Sequence, residues 1–391
     1  MRFWTGVSAI KGVTILAPLP APARRQRLAK MIPKYQALGV SVRFRGWERV
    51  RGEAVHWKWI GEPIDEAAIL TGGGHNTRLA RVMYPLWMMR VFVYVFFASG
   101  QQKFHCLGWE TAFPAMLAAF GRRHQIIFDD ADRFSMILGL TGPLRAMVMV
   151  LEDWTAARAL LHIIPSRSRH PKRLANDFVL PNTPTAKDLE SAAIATPEKP
   201  AQFVVYANGW LPETRGGLLI AEAFRRFAEG KSDVALLIAG FMPDEIRETT
   251  ARLEHVIYLG ELPQCEALAL YRVSDVLLTL YDPAVEINRY AEPNKWGDAL
   301  CFSVPFIVNC EVETARNFVD AGVAFTVPYG EPGALADLLS DLYEKSDRLQ
   351  AASKNFANLP EIMSGFDARF EDAINQIFCP AAGSESKRGI R

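Results

Sequence analysis

The chain has 391 residues, half of them apolar, and its 44 basic and 43 acidic side chains leave a formal charge of +1. That length suits two cores of roughly 150–200 residues each, and the near-neutral balance argues against a dedicated nucleic-acid binder, which carries a strong basic excess. Cys106, Cys265, Cys301, Cys310 and Cys379 are odd in number, widely spaced and without a CxxC pair; they indicate neither a disulfide framework nor a zinc site and fit a reducing cytoplasm.

The N-terminal residues show no convincing signal-peptide cleavage pattern, and GVTILAP (12–18) reads as a first buried strand. From there short apolar runs alternate with longer helical patterns, as in parallel sheets covered by helices. Further strands are predicted at 40–47, 104–109, 124–130, 160–166 and 177–182. The aromatic stretch RLARVMYPLWMMRVFVYVFFAS (78–99) is long enough to raise a membrane span, but Arg90 and Pro85 interrupt it. It reads first as a buried helix with its continuation, and second as an apolar, arginine-flanked face resting on a bilayer surface.

Residues 183–200, with three prolines and no apolar period, read as a linker. A second series follows, with strands predicted at 201–209, 234–240, 255–260, 275–281, 304–309 and 324–330. The pattern predicts an α/β chain of two doubly wound domains, 1–182 and 201–362, whose strand ends would face one cleft. A last helix within 363–379 would pack back on the first domain, and the polar tail 380–391 is expected to be disordered.

The stretch EPNK, Glu292 to Lys295, stands directly before a helix-like run. A helix N-terminus offers unpaired amides and partial positive charge, so Asn294 and Lys295 mark a candidate phosphate site. Three other loops of the same sheet point to it. Gly209 and the Gly216-Gly217 pair let a ligand approach the backbone, and Arg215 offers a forked donor. Glu261 and Leu262 follow one strand; Tyr281 and Asp282 follow another. In the first half, HQIIFDDADRFS packs Asp129, Asp130 and Asp132 at a strand end, where a carboxylate could hold a metal or act as a base. Glu110 and His75 are further candidates. Walker A, GxSxG, HExxH and GxGxxG signatures are absent, which removes the ATPase, serine hydrolase, zincin and common dehydrogenase readings.

Segment for segment, the C-terminal half from VVYANGW to EPNKWGDALCFSVPFIVN resembles the nucleotide-sugar donor domain of GT-B glycosyltransferases of family 4. The resemblance implies two Rossmann-like domains facing each other across a cleft, with Gly209 and Arg215 at the diphosphate. Trp210 stands where family 4 usually carries arginine. Of its glutamate pair, the second position is Asp298 and the first falls on Tyr290. In patches the chain also resembles the inverting xanthan glucuronosyltransferases. That likeness gives Asp132 the role of general base, Glu261, Leu262 and Tyr281 the nucleotide, and Lys295 the phosphates. It implies a UDP-linked donor, a lipid-linked glycan acceptor in surface-polysaccharide synthesis, and no metal or other cofactor. It also implies a peripheral place at the inner face of the cell membrane, which the apolar 78–99 segment would meet. A retaining family-4-like glycosyltransferase, a sugar-nucleotide epimerase of the same fold and a non-catalytic nucleotide-binding scaffold are the rival readings.

Overall fold

The computed structural model describes residues 12–378 except 58, 60, 76, 138–140, 168, 169, 171 and 360–364. The expected tail 380–391 lies outside the described residues. Chain contacts divide the molecule into two compact units: one runs to Leu180 and takes up the chain again from Asp367, and the other is Pro181–Phe366.

The first unit holds seven parallel strands: β1 Gly12–Ala17, β2 Ser41–Glu48, β3 Asp65–Thr71, β4 Lys103–Leu107, β5 Gln125–Asp129, β6 Leu161–Ile164 and β7 Asp177–Val179. Their order is β3-β2-β1-β4-β5-β6-β7. The central strands β1, β4, β5 and β6 are mostly apolar and buried almost throughout, as strands of a parallel sheet covered on both faces are. β3, which the sequence reading did not foresee, is the outer strand, and most of its residues are exposed. It opens on Asp65 and Glu66, charges of the kind that protect a sheet edge. The strand expected at 177–182 is shorter, ending at Val179.

The 78–99 segment forms one helix, Arg78–Phe96, capped by the Thr77 hydroxyl, which accepts from the Ala80 amide. Trp87, Val91 and Val95 are buried in the unit's core, whereas Leu79, Val82, Met89, Val93 and Phe96 face outward. Among the described residues it is the helix long and apolar enough to cross a membrane. Its buried stripe is that of a helix lying on a core.

The second unit holds six parallel strands: β8 Phe203–Trp210, β9 Val234–Phe241, β10 Val256–Gly260, β11 Val276–Thr279, β12 Phe306–Asn309 and β13 Ala324–Val327. Their order is β10-β9-β8-β11-β12-β13. Residues 183–200, expected to be a linker, contain the helix Ala186–Ile194 instead. Thr185 and Asp188 form a reciprocal capping box there, and Ala192 enters the core beside Val204 and Leu268. Nine residues with one buried position give no apolar period, so only the cap signalled the helix.

The helix Phe366–Phe378 belongs, from Asp367 on, to the first unit. Phe370 sits edge-on to Tyr35 with ring centroids 5.1 Å apart, Lys34 pairs with Asp367 at 3.2 Å, and Arg369 donates to the Val179 carbonyl. Under this helix lies a buried polar chain. The Tyr35 hydroxyl meets His105 Nδ1 at 2.9 Å, and Arg27 Nε donates to both Asp129 oxygens at 3.0 and 2.8 Å. Burial would raise the Asp129 carboxyl, but Arg27 and His105 hold it well below the usual range. Arg27→Met should therefore cost about 3–5 kcal/mol by stranding a buried charge. Urea unfolding followed by tryptophan fluorescence checks this, and the double variant Arg27→Met/Asp129→Leu should recover most of the loss. A single variant no less stable than the double would contradict the account.

Candidate functional site

The order of the second sheet reverses between β8 and β11, and ligands of open parallel sheets bind at the carboxyl ends beside such a reversal. β8 ends in Asn208, Gly209 and Trp210 at that point. Gly209 has φ +89, open to glycine at no cost. A Cβ on the neighbouring Gly240 would collide with the Gly209 carbonyl, so the ends of β8 and β9 approach more closely than side chains allow.

Lys295 comes from the first turn of the helix Asn294–Phe302, which follows β11. Its Nζ donates to the Asn208 carbonyl at 2.6 Å and lies 3.9 Å from where a Gly209 Cβ would stand. The lysine is thus drawn over the end of β8. The helix is seated by Gly297, where a Cβ would collide with the Asn182 carbonyl, and by the Trp296 indole, which donates to Thr279 at 3.0 Å. Behind it, Asn208 Nδ2 donates to the Tyr271 hydroxyl at 3.1 Å, and that hydroxyl donates to the Lys295 carbonyl at 3.3 Å.

Arg215 reaches the same place from the turn between β8 and the helix Gly217–Ala228, its guanidinium 4.5 Å from the centre of the Tyr281 ring. The turn is stitched to the β11 loop: the Asp282 amide donates to the Thr214 carbonyl at 3.0 Å, and Asn288 Nδ2 donates to the carbonyls of Thr214 and Asp282. Tyr281 is fixed by Asn309 at the end of β12, which accepts from its amide at 2.8 Å and donates to its carbonyl at 3.0 Å. Burial and the nearby Arg215 push the Lys295 amine down to about 7, against the opposing pull of Asp298. Two cations are thus held together, a state that a phosphate would relieve.

Of the residues expected here, Gly209, Arg215, Tyr281, Lys295 and Asp298 gather around the β8–β11 reversal. Asp298 is buried in its helix and helps burial raise the hydroxyls of Tyr206 and Tyr271. Asn294 is exposed at the helix start, and Trp210 is exposed beside Phe241 on the neighbouring strand. Glu261 and Leu262 follow the outer strand β10, two strands away from β8. Asn208 and Asn309 were not foreseen as site residues. What Asn208 offers Lys295 is a main-chain carbonyl, and no residue type announces that.

In the first unit the three neighbouring aspartates part company. Asp129 is bound to Arg27, Asp130 is buried against His162 and His170, and Asp132 is exposed, 3.6 Å from Arg25 Nη2. Glu110 opens the helix Trp109–Ala119, and burial pushes its carboxyl up to about 7. His75 pairs with Glu53 at 2.5 Å.

No protein-family description matches the chain, and no curated protein resembles it in sequence. Solved structures do. A sucrose-phosphate synthase from Thermosynechococcus elongatus superposes with TM-score 0.66 at 13% identity, over 94% of this chain and 98% of that one. A trehalose-6-phosphate protein from E. coli, bound with UDP-2-fluoro glucose, gives 0.66 at 10% identity over 94% and 98%. A putative UDP-N-acetylglucosamine 2-epimerase from Listeria monocytogenes gives 0.59 at 16% identity over 97% and 98%. The likeness spans both units of this chain and nearly the whole of each of the others, and it shows that the chain has the GT-B fold.

Proposed function

We propose that the protein is a glycosyltransferase that takes a sugar from a nucleoside-diphosphate sugar and delivers it to a lipid-linked or glycan acceptor. One observation carries this reading: Lys295, pinned over Gly209 at the β8–β11 reversal with Arg215 beside it. Two cations and a helix N-terminus are the donors a departing diphosphate needs. The UDP-2-fluoro glucose in the E. coli protein of the same fold supports a UDP-linked donor. Tyr281, Glu261 and Leu262 would meet the nucleoside. The sugar is proposed to be a hexose or glucuronate, for surface-polysaccharide assembly.

The reaction is proposed as direct displacement with inversion. Asp132 takes the proton of the acceptor hydroxyl as it attacks the anomeric carbon, while Lys295, Arg215 and the Asn294–Phe302 helix stabilise the leaving diphosphate. These positive groups do the work a metal does on a diphosphate elsewhere, so none is required there. Epimerisation is the second reading, favoured by the Listeria structure; it would interconvert nucleotide sugars with no acceptor present.

The acceptor side is proposed to rest on the inner face of the cell membrane. Leu79, Val82, Met89, Val93 and Phe97 are exposed along one segment, with Arg90 and Arg122 nearby and the Arg122 guanidinium 4.1 Å over the Phe96 ring. Apolar side chains bordered by arginines suit an anionic bilayer.

Calorimetry with UDP, GDP, ADP, CMP and dTDP should find one preferred diphosphate. Lys295→Ala should weaken it by the roughly 1.5–3 kcal/mol of a charge-assisted contact; binding that ignores the substitution would remove the donor site. A bound diphosphate favours charged Lys295, so binding should be fully developed below pH 7, draw a proton from the buffer near and above pH 7, and weaken as pH rises further. Asp132→Asn should cut transfer by about 10²–10⁴ and leave diphosphate affinity unchanged. If Glu110→Gln has that effect instead, Glu110 is the base. In flotation with phosphatidylglycerol-containing vesicles, Val82→Asp with Phe97→Asp should lower partitioning at least tenfold, since each buried apolar side chain contributes about 1.5–3 kcal/mol. Equal partitioning would detach this face from the membrane.

A further inference from the structure

Asp130 directly follows β5, its amide donates to the Ile163 carbonyl of β6, and it is 2% exposed. A buried carboxylate needs several donors or a cation. Asp130 Oδ1 is buried with no hydrogen-bond partner among the described residues. Its Oδ2 faces two imidazoles, His162 Nε2 at 3.5 Å and His170 Nδ1 at 3.8 Å. Arg133, the nearby cation, is engaged by Asp153 at 3.1 Å and Glu152 at 3.7 Å.

The histidine tautomer sharpens the problem. His162 Nδ1 lies 2.8 Å from Asp177 Oδ1. Ionised, that carboxylate can only accept, so Nδ1 carries the proton. In a neutral ring, Nε2 then points its lone pair at Asp130 Oδ2; against the cost of burial, Asp130 and Asp177 draw a positive charge to this ring, which either a second proton or a metal ion on Nε2 would supply. Either way something positive must stand between the two atoms, a proton or a metal ion. A shared proton prefers a separation of about 2.7–3.2 Å, shorter than either distance here. Ligand atoms 2.0–2.1 Å from a tetrahedral zinc ion are about 3.4 Å apart, close to what is observed. One ligand atom from each of Asp130, His162 and His170 lies within 4.8 Å of the other two.

We propose that Asp130, His162 and His170 bind a divalent transition-metal ion, zinc by preference. Two imidazoles and one carboxylate suit zinc and its neighbours better than magnesium or calcium, which prefer oxygen ligands. Asp177 serves as the outer carboxylate that orients His162, and the Leu174 amide in turn fixes Asp177 by donating to its Oδ2 at 2.8 Å. Three protein ligands leave a fourth position for a small molecule such as water. The ion would tie the loop leaving β5, which carries Asp132 two residues on, to β6 and to the loop that follows it. Its ligands all belong to the first unit, whereas Lys295 belongs to the second.

The test uses the whole untagged chain. Elemental analysis after purification without chelator should find one zinc per chain. After chelator treatment, cobalt(II) titration should produce the intense visible absorption of a tetrahedral cobalt site. His170→Gln should abolish that absorption, and Asp177→Asn should keep its shape while weakening affinity about 10–100-fold. Wild-type protein that carries only traces of metal and gives no such absorption would overturn the proposal, leaving a protonated histidine pair on Asp130. Metal binding undiminished in His170→Gln would overturn it as well. The wild-type result stands whether or not the variants fold, and it does not depend on the sugar-transfer reading.

Discussion

Each sheet of this protein reverses its strand order once, and the reversal decides where chemistry can sit. Right-handed crossovers send the connections on either side of a reversal to opposite faces, so the carboxyl ends of the two central strands are left without a covering helix. In the second unit these strands are β8 and β11. Arg215 stands in the turn that leaves β8, and Tyr281 and Lys295 follow β11, so all three come from the connections that flank the gap. In the first unit the reversal lies between β1 and β4, and Glu110 opens the helix that leaves β4.

The two units treat buried charge in opposite ways. The first pairs most of its buried acids with cations: Asp129 with Arg27, and Glu152 with Arg133. The second sets Lys295 beside Arg215, whose charge and the lysine's own burial disfavour the charged amine, with Asp298 as the opposing acid. Paired charges hold a structure together, whereas a cation kept close to another cation is poised for an anion from outside. That contrast separates a structural carboxylate such as Asp129 from Lys295, for which a ligand's phosphate is the proposed partner.

Much of the fold could be read from the sequence because parallel strands buried on both faces appear as apolar runs, and the alternation of strand and helix is regular. β3 escaped notice because it opens on Asp65 and Glu66 and buries Leu70 alone, and the helix Ala186–Ile194 because one buried alanine leaves no period. At the site, Gly209, Arg215 and Lys295 were visible as residue types suited to phosphate. Their anchorage was not: the Asn208 carbonyl is backbone, and Asn309 bonds the main chain of a residue 28 positions away. The three aspartates from 129 to 132 looked alike in the sequence. Only tertiary neighbours distinguish them, and His162 and His170, which face Asp130, lie on β6 and on the loop beyond it.

The first unit is discontinuous in the chain. Its sheet ends with β7, yet Phe370, Ala373, Ile374 and Ile377, buried in that unit, arrive only after the whole second unit has been threaded. A ribosome therefore releases the second unit as an unbroken segment, free to collapse at once, while the first waits with Tyr35 uncovered. The earlier half of the gene encodes the later half to be finished, and the nascent first unit must keep an apolar surface from its neighbours until its closing helix emerges.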